Sequence, residues 1–436
     1  MLANLFQTVY NFTDRLWLSR FGPIGIAALQ LSFPLIFLMF AVAAGVTMAG
    51  TALVSQYTGA GRHEEANLAA GQVFSFAGLL SIALAVIGIF LAPAILSLIG
   101  GEPALMEASA SYLRIIYLGL PLAFSTFVVT ALFNGVGDTL TPMILMGASV
   151  GVNIVLDPFF IFGWGPFPAW GVTGAAVATV ISRALMALVG SYLLFSGKFG
   201  IHIRRRHLRL RWSLVRRIVS IGGMASIGQA GSALGFTVMN GALARIGTVV
   251  LGAFGIGNAF IAIALMPAMG LGQATATMVG QNLGAEQPKR AKQSAWAGMA
   301  ISSVILSVAA VFVLVFRTTF LGVFTSDPAV IAAGRDMMLL VAFAFPFMGI
   351  IQVVMGVYQG SGHTFYSMFF GLFRLWAVRV PLVLTLPFAV GLGANGVWWA
   401  MFVSNGVTAA LSLGFFMSGN WMHRVIKGKP PAEETT

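Results

Sequence analysis

Two aspartates are the side chains in this sequence with the most evident capacity for chemistry. Of its twelve acidic residues, ten lie in polar stretches or at the ends of apolar runs, and only Asp14 and Asp157 fall inside apolar runs. A carboxylate in an apolar span is costly, and such residues usually line an ion or substrate pathway or pair with another charged group. These two residues are therefore the first candidates for a functional site.

The sequence around Asp157 suits the binding of a cation. In VNIVLDPFFIF, Asn153 precedes Asp157 by four residues, which places both on one helical face. Pro158 has no N–H to donate to the carbonyl of Ile154, so that oxygen is left free and a kink is expected. A carboxylate, an amide oxygen and a free carbonyl within one turn match the preference of hard cations for oxygen ligands.

Asp14 has a similar setting, with Asn11 three residues earlier on the same face. If the two helices adjoin, desolvation and like charge favour uptake of a proton, at a site that a sodium ion could also fill. The residues themselves thus predict a cation site at Asp14, Asn153 and Asp157, with no other metal and no cofactor. The alternative is that each aspartate pairs with an arginine of the apolar runs. The available arginines are Arg15, Arg114, Arg183, Arg374 and Arg379.

The composition shows what kind of element must position these residues. Hydrophobic residues make up 58% and charged residues 8% of the chain, against about 45–50% and about 25% in soluble domains. A spanning helix needs about 20 apolar residues, and the alternation typical of barrel strands is absent. We therefore predict an all-α membrane protein with about twelve transmembrane helices. The predicted spans are 1–20, 24–56, 67–98, 110–134, 141–162, 170–196, 218–245, 249–281, 293–316, 335–358, 366–390 and 394–418.

A basic segment divides the chain near its middle. It predicts an N-terminal lobe at 1–197, a cytoplasmic linker at 198–217, a C-terminal lobe at 218–418 and a cytoplasmic tail at 419–436. With the linker inside, fifteen Lys and Arg residues lie in cytoplasmic loops and four in outer loops. This bias predicts an inner (plasma) membrane protein with both termini in the cytoplasm.

The two lobes resemble each other at a constant shift of 225 residues. Gln56 falls on Gln281, and Pro121 falls on Pro346. Because each half has six predicted helices, the halves have the same orientation and form parallel repeats. Transporters built in this way bind their substrate between the repeats.

Other classes of protein find less support in the sequence. The net charge of +12 is better explained by contact with anionic lipid headgroups than with nucleic acid. Cysteine is absent, and neither a phosphate-binding loop nor a catalytic triad motif is present, so we predict no enzyme activity. An intramembrane enzyme with an aspartate pair and a non-transporting scaffold remain as alternatives.

Four stretches resemble the MATE (multidrug and toxic compound extrusion) family, in particular its prokaryotic DinF-like branch. They are YNFTDRLWLSRFGPIGIAAL at 10–29, ALFNGVGDTLTPM at 131–143, NIVLDPFFIFGWG at 153–165 with GVTGAAVATVISR at 171–183, and VYQGSGHT at 357–364. The likeness extends over essentially the whole chain. One departure concerns the first helix, which in the family usually carries a proline upstream of the aspartate and here has none.

The resemblance implies a V-shaped, twelve-helix antiporter that exports organic cations, drugs or amphiphilic metabolites in exchange for protons or sodium. We expect the protein to be a monomer. A flippase for lipid-linked sugars, from the same wider superfamily, is the alternative that buried arginines would favour. The family's cation site adds a fourth-helix Tyr and a sixth-helix Thr, for which Thr179 is preferred to Thr173. The implied site residues are Asp14, Tyr112, Asn153, Asp157 and Thr179.

Overall fold

The computed structural model describes residues 2–100 and 102–426, and all regular secondary structure within those ranges is helical. Residues 427–436 of the predicted tail lie outside the described residues. By packing, the described chain divides into two compact units, and the boundary along the chain falls between Ser226 and Ile227. The lobe and linker bounds drawn from the sequence stay a prediction.

The first unit is built from seven α-helices, a short 3₁₀ helix (Arg205–Leu208) and the beginning of an eighth α-helix. Its helices are α1 (Leu2–Phe21), α2 (Pro23–Gly59), α3 (His63–Ile99), α4 (Pro103–Leu118), α5 (Leu120–Val136), α6 (Leu140–Phe162), α7 (Val172–Ser196) and α8 (Trp212–Ile246). A proline stands at the first position of both α2 and α4. The N–H groups of a helix's first turn have no partner within the helix, so proline, which has no N–H, is favoured there.

The second unit continues α8 from Ile227 onward. Its further helices are α9 (Thr248–Gly284), α10 (Pro288–Phe324), α11 (Pro328–Gly360), α12 (Thr364–Leu372), a π-helical stretch (Phe373–Arg379), α13 (Val380–Thr385) and α14 (Gly393–Met417). The helix from α12 to α13 is continuous, with the π-helical stretch at its centre.

Nine helices of the described chain are long and apolar enough to cross a membrane, and α4 with α5 makes a tenth span that bends by 50°. Gly119 and Pro121 lie at this bend, where a proline ring cannot continue the hydrogen bonds of a straight helix. The more polar helices α1 and α8 occupy the remaining two predicted positions. The prediction of an all-α membrane fold is confirmed.

The internal repeat is visible in the helix bounds. The bounds of α2 and α9, Pro23–Gly59 and Thr248–Gly284, differ by 225 residues at both ends. The same shift relates α3, His63–Ile99, to α10, Pro288–Phe324. Equal lengths at one offset are the structural counterpart of the sequence repeat.

The basic segment between α7 and α8 is fastened to α3 through the buried side chain of Gln72. Its amide nitrogen donates to the carbonyls of His207 and Arg209, each at 2.7 Å, and its oxygen accepts from the N–H of Arg211 at 2.6 Å. The backbone of this segment therefore has a fixed course up to Trp212, where α8 begins inside the range 198–217 predicted as a linker.

Candidate cation site

The turn between α6 and α7 fixes how these two helices meet. The N–H of Trp170 donates to the carbonyl of Phe160 at 3.0 Å, and the two rings stack 5.4 Å apart. Gly171 follows with a φ of +56°, a conformation that favours glycine. At Gly174 an added Cβ would lie 2.2 Å from the Phe160 carbonyl oxygen. This close approach sets the first turns of α7 directly against the end of α6.

A buried apolar cluster holds α1 and α4 against the same pair of helices. It includes Leu18 of α1, Tyr112 of α4, Ile161 of α6 and Val172 of α7. All four helices thus contribute to a single cluster, which orders the region around the polar residues on these helices.

The two aspartates come together inside this arrangement. Asp157 is fully buried and Asp14 is 9% exposed. The Asp14 carboxylate is within interaction range of the side chains of Asp157, Asn153 and Thr179. Asn153 donates from Nδ2 to Asp157 Oδ1 at 3.2 Å. Residues far apart in sequence therefore share one buried polar site, which combines α1, α6 and α7.

Four oxygens of this site are buried and have no hydrogen-bond partner among the described residues. They are Asp14 Oδ1, Asn153 Oδ1, Asp157 Oδ2 and Thr179 Oγ1. Leaving one buried polar atom unpaired is costly, and a group of them calls for an explanation. Three of the four oxygens can only accept, so a proton or a hard cation is the species that would satisfy them together.

Pro158 adds to the acceptor character of this region. It lies inside the continuous helix α6 and supplies no N–H for the carbonyl of Ile154, one turn earlier. This carbonyl therefore lacks its usual helical donor close to Asp157, as the sequence indicates.

Tyr10 belongs to the surroundings of the site and was not singled out from the sequence. Its buried hydroxyl lies 2.9 Å from Ser182 Oγ and donates to the Thr179 carbonyl at 3.3 Å. Tyr10 is four residues before Asp14, so the two lie on the same face of α1, and this spacing could have indicated Tyr10 as a neighbour of the site. The expectation for Asn11 was wrong: its side chain is exposed and accepts from Gln7 at 3.3 Å. The helix turns its Tyr10 face, and not its Asn11 face, toward α7.

The arginines do not neutralise the aspartates in the described chain. The four ion pairs there join other residues, and Arg15 and Arg114 are exposed. Arg183 is within electrostatic range of Asp14, but its guanidinium lies over the rings of Tyr10 and Phe40, 5.7 and 5.1 Å from their centres. Its charge is thus stabilised by aromatic faces, and both carboxylates keep free oxygens.

The two residues taken from the resemblance lie in the same region. Tyr112 is buried in the cluster described above and is within electrostatic range of both aspartates. Thr179 is buried and lies beside Asp14, with its hydroxyl unpartnered. Thr173 is half-buried in the first turn of α7. No group of three or more His, Cys, Asp or Glu residues that could hold a transition metal occurs within the described ranges.

The fold and this site define a multi-pass membrane protein with a buried, acidic polar centre between helices of its first unit. A family model described as MatE matches residues 1–159 and 225–385. The chain belongs to the MatE family, whose members are membrane transporters and not enzymes.

Individual relatives agree with this assignment. "Multidrug resistance protein PmpM" of Pseudomonas aeruginosa is 30% identical over 94% of this chain and 87% of its own length. "Probable multidrug resistance protein YoeA" of Bacillus subtilis is 28% identical over 95% and 91%. A solved MOP superfamily transporter from Pyrococcus furiosus is 22% identical and has the same fold, with a TM-score of 0.90 over 97% and 94% of the two chains. These relatives give no support to the lipid-flippase alternative.

Proposed function

We propose that this protein is a secondary antiporter that exports organic cations, drugs or amphiphilic metabolites in exchange for protons or sodium. The observation that carries the proposal is the group of four unpartnered oxygens at Asp14, Asn153, Asp157 and Thr179. Two of them belong to carboxylates that have no ion pair among the described residues.

Such a site can couple ion movement to a change of conformation. Two buried carboxylates repel each other, and a bound proton or sodium ion removes that repulsion. If the site is more open to water in one state of the transporter than in the other, the two states bind the ion with different affinity. The ion gradient then shifts the population between them, which is the energetic requirement for coupled transport.

Within this proposal Asp157 and Asp14 bind the ion directly. Asn153 orients Asp157 through its hydrogen bond, and Thr179 offers its hydroxyl oxygen at the edge of the site. Tyr112 lines the apolar side of the site. The sodium ion, if that is the coupling ion, would be held at Asp14, Asn153 and Asp157.

The proposed substrate class rests on the relatives, two of which are named as multidrug resistance proteins. The apolar lining that such substrates need is abundant in a chain with 21 Met and 36 Phe residues. The basic segment at 198–217 would face the cytoplasm, with both termini, because cytoplasmic loops carry the excess of positive charge. Since the site is complete within one chain, the monomer would be the working unit.

Accumulation of a cationic dye in cells expressing the protein tests this function. We expect wild type to keep dye out of energised cells, and Asp14→Asn to accumulate as much dye as cells without the protein. Glu107→Gln makes the same acid-to-amide change at an exposed position of α4 and should behave as wild type. Equal dye exclusion by Asp14→Asn at equal expression would refute the assigned role of Asp14.

A further inference from the structure

Two arginines in the second unit form a polar site of their own. In an α-helix, residues five apart point in directions about 140° different. Arg374 and Arg379 lie in the π-helical stretch Phe373–Arg379, where the hydrogen bonds run from residue i to i+5. This geometry brings residues 374 and 379 closer to the same side of the helix than an α-helix would. Arg374 is the eleventh residue of the 22-residue span Thr364–Thr385, so it lies near the middle of that span.

The π-helical stretch is held in place by its neighbours. Trp376 donates from its indole nitrogen to the Gly231 carbonyl at 2.8 Å. Arg379 is 3% exposed and donates from Nε to Ser404 Oγ of α14 at 2.9 Å. The Ser404 hydroxyl in turn donates to the Met401 carbonyl at 3.0 Å. The guanidinium of Arg379 thus has a fixed position against α14.

These arginines have no counter-ion among the described residues. The second unit contains three acidic residues in that range, of which Glu286 pairs with Arg424 and Asp327 caps α11. No ion pair of Arg374 or Arg379 is found in the described chain. Buried charges in a span are normally paired or face a pathway. Because these two arginines have no pair, an anion that is not part of the described chain is the expected partner.

Several donor and acceptor atoms around the pair are unused. Arg374 Nε and Arg379 Nη2 are buried and unpartnered within the described ranges, as is the hydroxyl of Thr408. Thr408 lies four residues after Ser404 on α14, so both face the same side of that helix. Arg379 and Arg374 are within electrostatic range of each other. The two guanidinium groups thus have donors that no acceptor of the described residues fills.

We infer that Arg374 and Arg379 bind an oxyanion, a carboxylate or a phosphate. The guanidinium fork matches both groups through paired hydrogen bonds, and a bound oxyanion would neutralise the repulsion between the two arginines. The oxyanion would belong to a transported amphiphile or to a lipid headgroup. The transport part of this inference rests on the proposed antiport, and the binding part does not.

Binding of fluorescein, which carries a carboxylate, to the purified full chain in phosphatidylcholine nanodiscs tests the inference. We expect fluorescence anisotropy to show binding to wild type. Arg379→Gln and Arg374→Gln should each weaken it by tenfold or more. Arg379→Lys should lose less, because it keeps the charge. Arg335→Gln, at an exposed position of α11, is the matched control and should bind as wild type.

A second arm distinguishes the source of the oxyanion. If a lipid headgroup fills the site, phosphatidylglycerol added to the nanodiscs should compete with fluorescein and weaken its binding to wild type. The proportional weakening should be smaller for Arg379→Lys than for wild type. If a solute fills it, the lipid should have no effect. Either result supports an oxyanion site. Equal fluorescein affinity in wild type, Arg379→Gln and Arg374→Gln would overturn it.

Two controls keep this result separate from folding and from the antiport. Should Arg379→Gln not fold, as judged by thermal unfolding, Ser404→Ala removes the hydroxyl that positions the guanidinium and should also weaken fluorescein binding. Ion-driven efflux of a purely cationic dye should persist in Arg379→Gln. If wild type shows no ion-driven efflux of this dye, the proposed antiport is refuted. The fluorescein measurement then still decides whether the oxyanion site exists.

Discussion

Replacing Asp157 by Asn separates ion binding from stability. The amide has nearly the shape of the carboxylate, so it fits the fully buried position and can donate to Asp14. Two unit charges about 4 Å apart attract by about 4 kcal/mol at an effective dielectric constant of about 20. Removing one carboxylate should therefore weaken binding of the coupling cation by about a thousandfold, since each 1.4 kcal/mol is about tenfold.

The stability of Asp157→Asn should change in the opposite direction. In the absence of the coupling ion, the variant no longer buries two carboxylates close together, so its thermal midpoint should equal or exceed that of wild type. Addition of the coupling ion should raise the midpoint of wild type, because a ligand that binds only the folded state stabilises it. This increase should be absent in Asp157→Asn.

The assay is thermal unfolding of purified protein across a series of sodium concentrations and pH values, together with dye efflux from proteoliposomes. Efflux by Asp157→Asn should fall to the rate of protein-free liposomes. The exposed control Glu107→Gln should match wild type in both measurements. Gradient-driven efflux at the wild-type rate by Asp157→Asn would show that Asp157 does not bind the coupling ion, whatever the stability of the variant.

Three further changes test the surroundings of the site and the pH response. Tyr10→Phe removes the hydroxyl that contacts Ser182; it should cost about 1 kcal/mol of folding free energy, seen as a lower thermal midpoint, and unchanged stability would contradict this. Gly174→Ala should cost about 1–3 kcal/mol by overpacking against α6, whereas Gly151→Ala, with open space around its Cβ position, should cost little. Burial and His423 lower the pKa of His363, so the unfolded chain takes up its proton first as pH falls, near the usual His pKa of about 6.5. Wild type should therefore lose thermal stability from pH 7.5 to 5.5 more steeply than His363→Gln, and parallel curves would contradict this.

The sequence was a sufficient guide to the helices because hydropathy and length determine which segments can span a membrane. The repeat was also predictable, since the same residues recur at a shift of 225 in sequence and in helix bounds. The bend at Gly119 and Pro121 could have been predicted from proline chemistry, although only one span at 110–134 and no bend was predicted from the sequence.

The site was predictable only in part. The intramembrane cost of a carboxylate singled out Asp14 and Asp157, and the spacing on α6 added Asn153. The contacts of Tyr10 with Ser182 and the Thr179 carbonyl join residues about 170 positions apart, so no periodicity along the chain could reveal them. The choice of Tyr10 over Asn11 depends on how α1 is rotated against α7, which is decided by packing.

The π-helical stretch was the least predictable feature. FRLWAVR has no glycine or internal proline, and local propensity does not distinguish i→i+5 from i→i+4 hydrogen bonds in it. Its stability in the structure comes from contacts made elsewhere, such as the bond from Arg379 to Ser404. Buried polar partners of this kind belong to tertiary structure.

Dye efflux from proteoliposomes under imposed ion gradients tests most directly whether the buried pair Asp14 and Asp157 exchanges a cation for the substrate. The membrane potential is clamped, and a pH gradient and a sodium gradient are imposed in separate experiments. We expect one of these gradients to drive dye movement in the direction opposite to the ion, and we expect dye movement to stop when that gradient is collapsed. Equal dye movement with either gradient and with none would contradict it.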